Sequence, residues 1–168
     1  AADLHVLADG HDLLLHDLGD GQVGARIFAG LESVHISGVL GGDDDGQVLY
    51  QIHKSVGLGG KVGLGISKNH LKEGSLETYD FVFLMLDKED SFSGKVLTTP
   101  PQLGVVTRFK GLHKEAPAAY TKLLEFISAN NLEITDFSRE ITLIDSGFTS
   151  DQNLYMTEIQ IPVRQKNE

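Results

Sequence analysis

Two stretches of this chain follow one plan, and that repetition limits the fold more than any other feature. Leu64 and Tyr79 are separated by the same interval as Glu140 and Tyr155, and a strand of alternating apolar residues follows each tyrosine. Each half reads as strand, helix, strand, loop, strand. Two copies of a β-α-β-β unit imply an α+β fold. They build one antiparallel sheet with helices on one side, related by a pseudo-two-fold axis. A central cleft on that axis is a natural ligand site. We read residues 1–168 as a single domain, with 1–30 an N-terminal extension, 31–93 the first repeat and 94–168 the second.

The individual elements follow from hydrophobic period. In the first half, Val34 and Ile36 alternate with His35 and Ser37, which predicts a strand over 33–40. A loop over 41–46 follows, and its Asp43, Asp44 and Asp45 can cap a helix over 47–56 whose apolar face is Leu49, Ile52 and Val56. Residues 61–67 read as a strand weakened by glycine, and 77–87 as a strong one. The two faces of that strong strand are Tyr79, Phe81, Phe83, Met85 and Val82, Leu84, Leu86. In the second half, 103–111 is a strand closed by Gly111. A helix over 116–130 accepts Pro117 in its first turn, presents Tyr120, Leu123, Leu124 and Ile127 on one face, and stops in a left-handed cap at Asn130-Asn131. Residues 139–145 form a strand with Ile141 and Leu143 on one face and Glu140, Thr142 and Ile144 on the other. A polar loop, 146–153, leads to a last strand over 154–163, where Pro162 marks an edge or a strand end. Two weaker strands, 12–18 and 24–31, join around Gly19-Asp20-Gly21.

Composition narrows the function. The 24 Asp and Glu outnumber the 14 Lys and Arg, for a net charge of −10. Up to residue 53 the only base is Arg26. An acidic surface repels phosphate backbones, so no direct nucleic-acid binding is expected. No stretch is long and apolar enough for a transmembrane helix, no secretory leader is visible, and the first residue is Ala rather than Met, as after processing or at a fragment boundary. The absence of cysteine excludes disulfides and thiolate chemistry and fits a reducing cytoplasm.

Other patterns point to no chemistry. The glycines of 57–65 lack both the dinucleotide spacing and the Lys-Ser/Thr ending of a phosphate loop. The aspartates of 43–45 lack the alternating acids of a calcium loop. His5, His11, His16, His35, His53, His70 and His113 are scattered, and no metal or cofactor is expected. There is no G-x-S-x-G elbow.

Residues 139–163, REITLIDSGFTSDQNLYMTEIQIPV, resemble a known family, together with Phe109-Lys110-Gly111, Ala119–Leu124 and Ile127. The likeness is to GyrI-like effector-binding domains, and more narrowly to the C-terminal drug-binding domain of MerR-type multidrug transcription regulators. The resemblance implies two β-α-β-β repeats with a pocket between them for flat, lipophilic, often cationic compounds. It places Glu140 in that pocket as the buried glutamate, and Tyr155 as a tyrosine lining it. Asn153 stands where some relatives carry a second acid. Glu158 matches the glutamate of the final motif but lies on the face opposite Tyr155 and Thr157.

The residues themselves support Glu140, because a carboxylate among apolar neighbours is costly unless paired. An organic cation can be that partner, with Tyr155, Tyr79, Phe81, Phe83 or Tyr120 as aromatic walls and Thr142 on the same face; the resemblance adds Asn153 to the expected ligand-binding residues. The plain alternative pairs Glu140 with Arg108 or Arg139. The expected function is effector sensing for a transcription regulator, with DNA reached only through a winged-helix domain not seen in this sequence. The alternatives are a stand-alone drug binder, a hydrolase of reactive electrophiles that uses the same glutamate, and an inhibitor of gyrase.

Overall fold

A computed structural model describes residues 21–28, 31–37, 61–86 and 96–167. Its strands are β1 (Val23–Phe28), β2 (Leu31–Ser37), β3 (Lys61–Gly65), β4 (Phe81–Leu86), β5 (Val96–Thr99), β6 (Gln102–Lys110), β7 (Leu132–Ile134), β8 (Arg139–Ile144) and β9 (Met156–Gln165). Two α-helices are described, α1 (Lys68–Glu73) and α2 (Ala116–Ala129). The expected strand 12–18, the loop 41–46 and the helix 47–56 lie outside the described residues. No helix among the described residues is long and apolar enough to cross a membrane.

The strands form one antiparallel sheet in the order β1-β6-β9-β8-β3-β4-β2-β5, with β7 also paired to β9. The duplicated plan is visible in this order. Reading outward from the centre, β8-β9-β6 of the second half mirrors β3-β4-β2 of the first. The halves meet where β3 pairs with β8, through Gly63 opposite Ile141 and Leu64 opposite Glu140. The outermost strands are exchanged. β1 precedes β2 in sequence but pairs with β6, and β5 precedes β6 but pairs with β2. The hairpin expected around Gly19-Asp20-Gly21 lies partly outside the described residues; its second strand, β1, pairs with β6.

Helix α2 lies on one face of the sheet. Its Ala116, Ala119, Tyr120, Leu123 and Ile127 are buried against Val105 and Phe109 of β6 and Ile159, Ile161 and Val163 of β9. Ile66 and Leu71 join the same core from the first half. The helix ends as expected, with Asn131 in a left-handed conformation at φ 53°. Pro162 sits inside β9 rather than at its end. It falls between the partner of Arg139, Gln160, and the partner of Ile134, Val163, where β8 has stopped and β7 begins.

The other face carries the rings of Phe81 and Phe83. A Cβ on Gly63 would lie 2.2 Å from the ring of Phe83, and one on Gly65 would meet the Ser138 carbonyl at 2.7 Å and the Phe137 ring at 3.0 Å. Phe81 and Phe83 both pack against Phe137, at 5.0 and 6.2 Å between ring centres. The glycines that weaken β3 in sequence terms are thus the bed on which these rings lie. Gly63→Ala should destabilise the fold by about 1–3 kcal/mol, because the buried Phe83 ring has no free space to swing into. A chemical denaturation midpoint equal to wild type would show that the ring does not lie tight on this strand.

Candidate functional site

Alternation and register decide which side chains meet. Glu140 is flanked across the ladder by Ile159 of β9 and Leu64 of β3, all three on the face that carries α2. The carboxylate therefore stands between aliphatic neighbours, beside the pseudo-axis, with its side chain fully buried.

Its partners are neutral or titratable. The Tyr79 hydroxyl donates to Oε1 and Oε2, at 2.9 Å each. The His113 ring meets Oε1 through Nδ1 at 2.5 Å, and it lies edge-on to Tyr79, with ring centres 6.4 Å apart. Behind the carboxylate, the wholly buried Tyr120 hydroxyl is bonded to Ser138 Oγ at 2.8 Å, and that same oxygen accepts the Ile66 N–H at 2.9 Å. Among the described residues no Lys or Arg lies within ion-pair distance of Glu140.

The electrostatics follow from this arrangement. Burial, then the adjacent Glu140 charge, push the Tyr79 phenol far up, so it stays protonated and keeps donating. Burial and Glu140 likewise push Tyr120 well above its ordinary range. The bond to Glu140 raises His113 above its ordinary value; its partial burial opposes this and the glutamate's charge adds to it. Perturbed groups gathered around one buried carboxylate make this place the candidate site.

The two arginines of the plain alternative are engaged elsewhere. Arg108 Nε bonds Glu158 Oε2 at 2.9 Å, and Glu158 Oε1 accepts from Gln160 at 2.8 Å. Arg139 reaches Thr99 at 3.3 Å, and its burial lowers its affinity for a proton. These side chains lie on the face away from α2, so the sheet itself separates them from Glu140.

The structure brings together only part of the expected aromatic wall. Tyr79 contacts Glu140 directly. Thr142 shares its face, two residues along β8. Tyr155 is half-buried where β9 begins, two residues before Thr157, the partner of Thr142. The other four expected residues are placed differently. Phe81 and Phe83 lie on the opposite face, because Phe83 covers Gly63 while its neighbour Leu64 pairs with Glu140. Tyr120 is a core residue rather than an open wall. Asn153 is exposed and held by Asp151, which accepts from both its backbone and its side chain at 3.0 Å.

His113 was missed as a partner. It sits in the short turn His113–Glu115 between β6 and α2, and a lone histidine in a loop carries no periodic signal. Ser138 was missed for the same reason. A second carboxylate-histidine contact lies nearby, where Asp80 accepts the Ser67 N–H at 2.6 Å and meets His70 Nδ1 at 2.9 Å.

The sequence profile of the GyrI-like small molecule binding domain matches residues 47–164. The chain belongs to the GyrI-like family. No curated protein matches it. Solved structures share the fold of this GyrI-like domain. The C-terminal domain of EcmrR superposes at TM-score 0.66 with 17% identity, covering 86% of this chain and 98% of that one. Within the EcmrR–DNA complex the match has TM-score 0.67 and 15% identity, over 86% of this chain and 58% of that longer chain. A hydrolase from Listeria innocua matches at TM-score 0.57 and 12% identity, covering 86% and 93%. SAV2435, solved bound to tetraphenylphosphonium, matches at TM-score 0.55 and 17% identity, covering 85% and 94%.

Proposed function

We propose that this GyrI-like domain binds small lipophilic, aromatic cations, with Glu140 as their counter-ion, and senses them as the effector domain of a cytoplasmic transcription regulator. One observation carries the reading. Glu140 is a buried carboxylate between aliphatic neighbours, and among the described residues its hydrogen-bond partners are Tyr79 and His113 rather than a fixed cation. A buried anion held this way is a vacancy for positive charge. Tyr79 and Tyr155 would supply aromatic contacts, each worth about 0.5–2 kcal/mol to a cation. The likeness to EcmrR, a MerR-family regulator, supports the sensing role, and the tetraphenylphosphonium bound to SAV2435 supports the ligand class. The acidic sequence supports a domain that does not itself hold DNA.

A thermal-shift series tests this. Tetraphenylphosphonium should raise the melting temperature in a dose-dependent way, and neutral triphenylphosphine oxide should raise it much less. No shift with any lipophilic cation would remove the reading.

A second reading is a hydrolase, favoured by the contact of Glu140 with both Tyr79 and His113 and by the Listeria innocua neighbour. Glu140 would take a proton from water as it attacks an electrophilic carbon, with Tyr79 or His113 supplying a proton to the leaving group. Release of more product than protein present, abolished in Glu140→Gln, would establish it. A stoichiometric, fully reversible interaction would exclude it for the compound tested.

A further inference from the structure

We infer that His113 is an internal counter-ion which an incoming organic cation must displace from Glu140, so that the domain exchanges a proton for its ligand. This rests on the reading of Glu140 as the cation's seat. It adds a residue that sets when the seat is open and which charge it prefers.

The geometry singles out His113 among the partners of Glu140. Tyr79 holds both carboxylate oxygens, and Tyr120 is locked in the core by Ser138. His113 stands on a three-residue turn, holds one oxygen, and leaves 47% of its side chain in solvent. It is the partner nearest to water and the one that can swing out without opening the core. It is also the only one that can carry positive charge. The groups that face it are Glu140 from β8 and Tyr79 from the segment before β4, with Tyr120 of α2 behind the carboxylate. On its own turn, Lys114 and Glu115 stand 4.0 Å from each other. No other cation among the described residues reaches Glu140.

One carboxylate compensates one charge. With the imidazolium in place the site is neutral, and a second cation would meet like charge at close range. A cation therefore binds best to the form with neutral His113. Reciprocity then requires that binding the cation drives a proton off His113. The rise in the proton affinity of His113 caused by Glu140 supports this, because it favours the charged ring while the site is empty. A neutral ligand gains nothing from the exchange, since expelling the imidazolium would leave the buried carboxylate bare.

The test is calorimetry of the whole chain with tetraphenylphosphonium, whose charge is fixed at every pH. Affinity should rise towards tenfold per pH unit from about pH 6 and level off above the histidine's range. In buffers of different ionisation heat, up to about one proton should leave per cation bound on the rising limb. His113→Gln keeps a donor to Glu140 without the charge. It should bind tightly and without slope over the same range, while His70→Gln should keep the wild-type slope. A flat wild-type profile with no proton release would overturn the inference and leave Glu140 as the cation site. A slope that persists in His113→Gln would also overturn it, assigning the titration to another group. Absence of binding at every pH would instead remove the underlying reading of Glu140.

Discussion

Glu158→Ala should cost this domain about 3–5 kcal/mol of stability, the loss expected when one partner of a buried ion pair is removed. Arg108 and Glu158 face each other directly across β6 and β9, and both are almost entirely buried. Deleting the carboxylate leaves a guanidinium that cannot give up its charge, and it frees the Gln160 amide that Glu158 Oε1 now accepts. The paired replacement of Arg108 by Met and Glu158 by Leu should recover most of that loss, because two well-packed apolar side chains carry no desolvation cost. Urea denaturation of the single and double variants measures both. A single variant within about 1 kcal/mol of wild type would mean that the pair is not desolvated as drawn.

Glu140→Gln should have the opposite profile: little effect on stability and a large one on binding. The glutamine oxygen can still accept from Tyr79, and removing a buried charge relieves the cost of keeping it there. Affinity for tetraphenylphosphonium should fall about a hundredfold, equivalent to about 2.7 kcal/mol. Affinity for triphenylphosphine oxide should change by no more than about threefold. Equal losses for both ligands would show that Glu140 shapes the site without acting as a counter-ion.

These two glutamates show what the sequence exposes and what it hides. Glu140 and Glu158 lie on neighbouring strands, and each is followed by an isoleucine in sequence. The alternation of β8 and β9 assigns each its own face, and their opposite roles follow from that. The duplicated plan and the long helix were equally legible, because a repeated interval and a 3.6-residue apolar stripe are local signals. The exchange of β1 and β5 between the halves was not. Pairing across the length of a chain leaves no mark in either strand. Tyr79 and Phe83 show the same limit at the site. An unbroken strand over 77–87 puts both on one face, but β4 begins at Phe81. The segment before it turns the Tyr79 hydroxyl to Glu140, while Phe83 stays on the far side over Gly63. Helix α1 and strands β5 and β7 escaped notice because each is shorter than the windows in which period can be read.

The two halves also explain why one site rather than two is expected. Leu64 holds in β3 the place that Glu140 holds in β8, directly across the pseudo-axis. The duplication supplies an apolar wall on one side and a single anion on the other.

The most direct measurement is a crystal structure of the domain with tetraphenylphosphonium. The phosphonium centre should lie within about 6 Å of the Glu140 carboxylate, on the α2 face, with a phenyl ring against Tyr79 and His113 turned away. A cation seated on the Phe81, Phe83 and Phe137 face, with His113 still bonded to Glu140, would contradict the account.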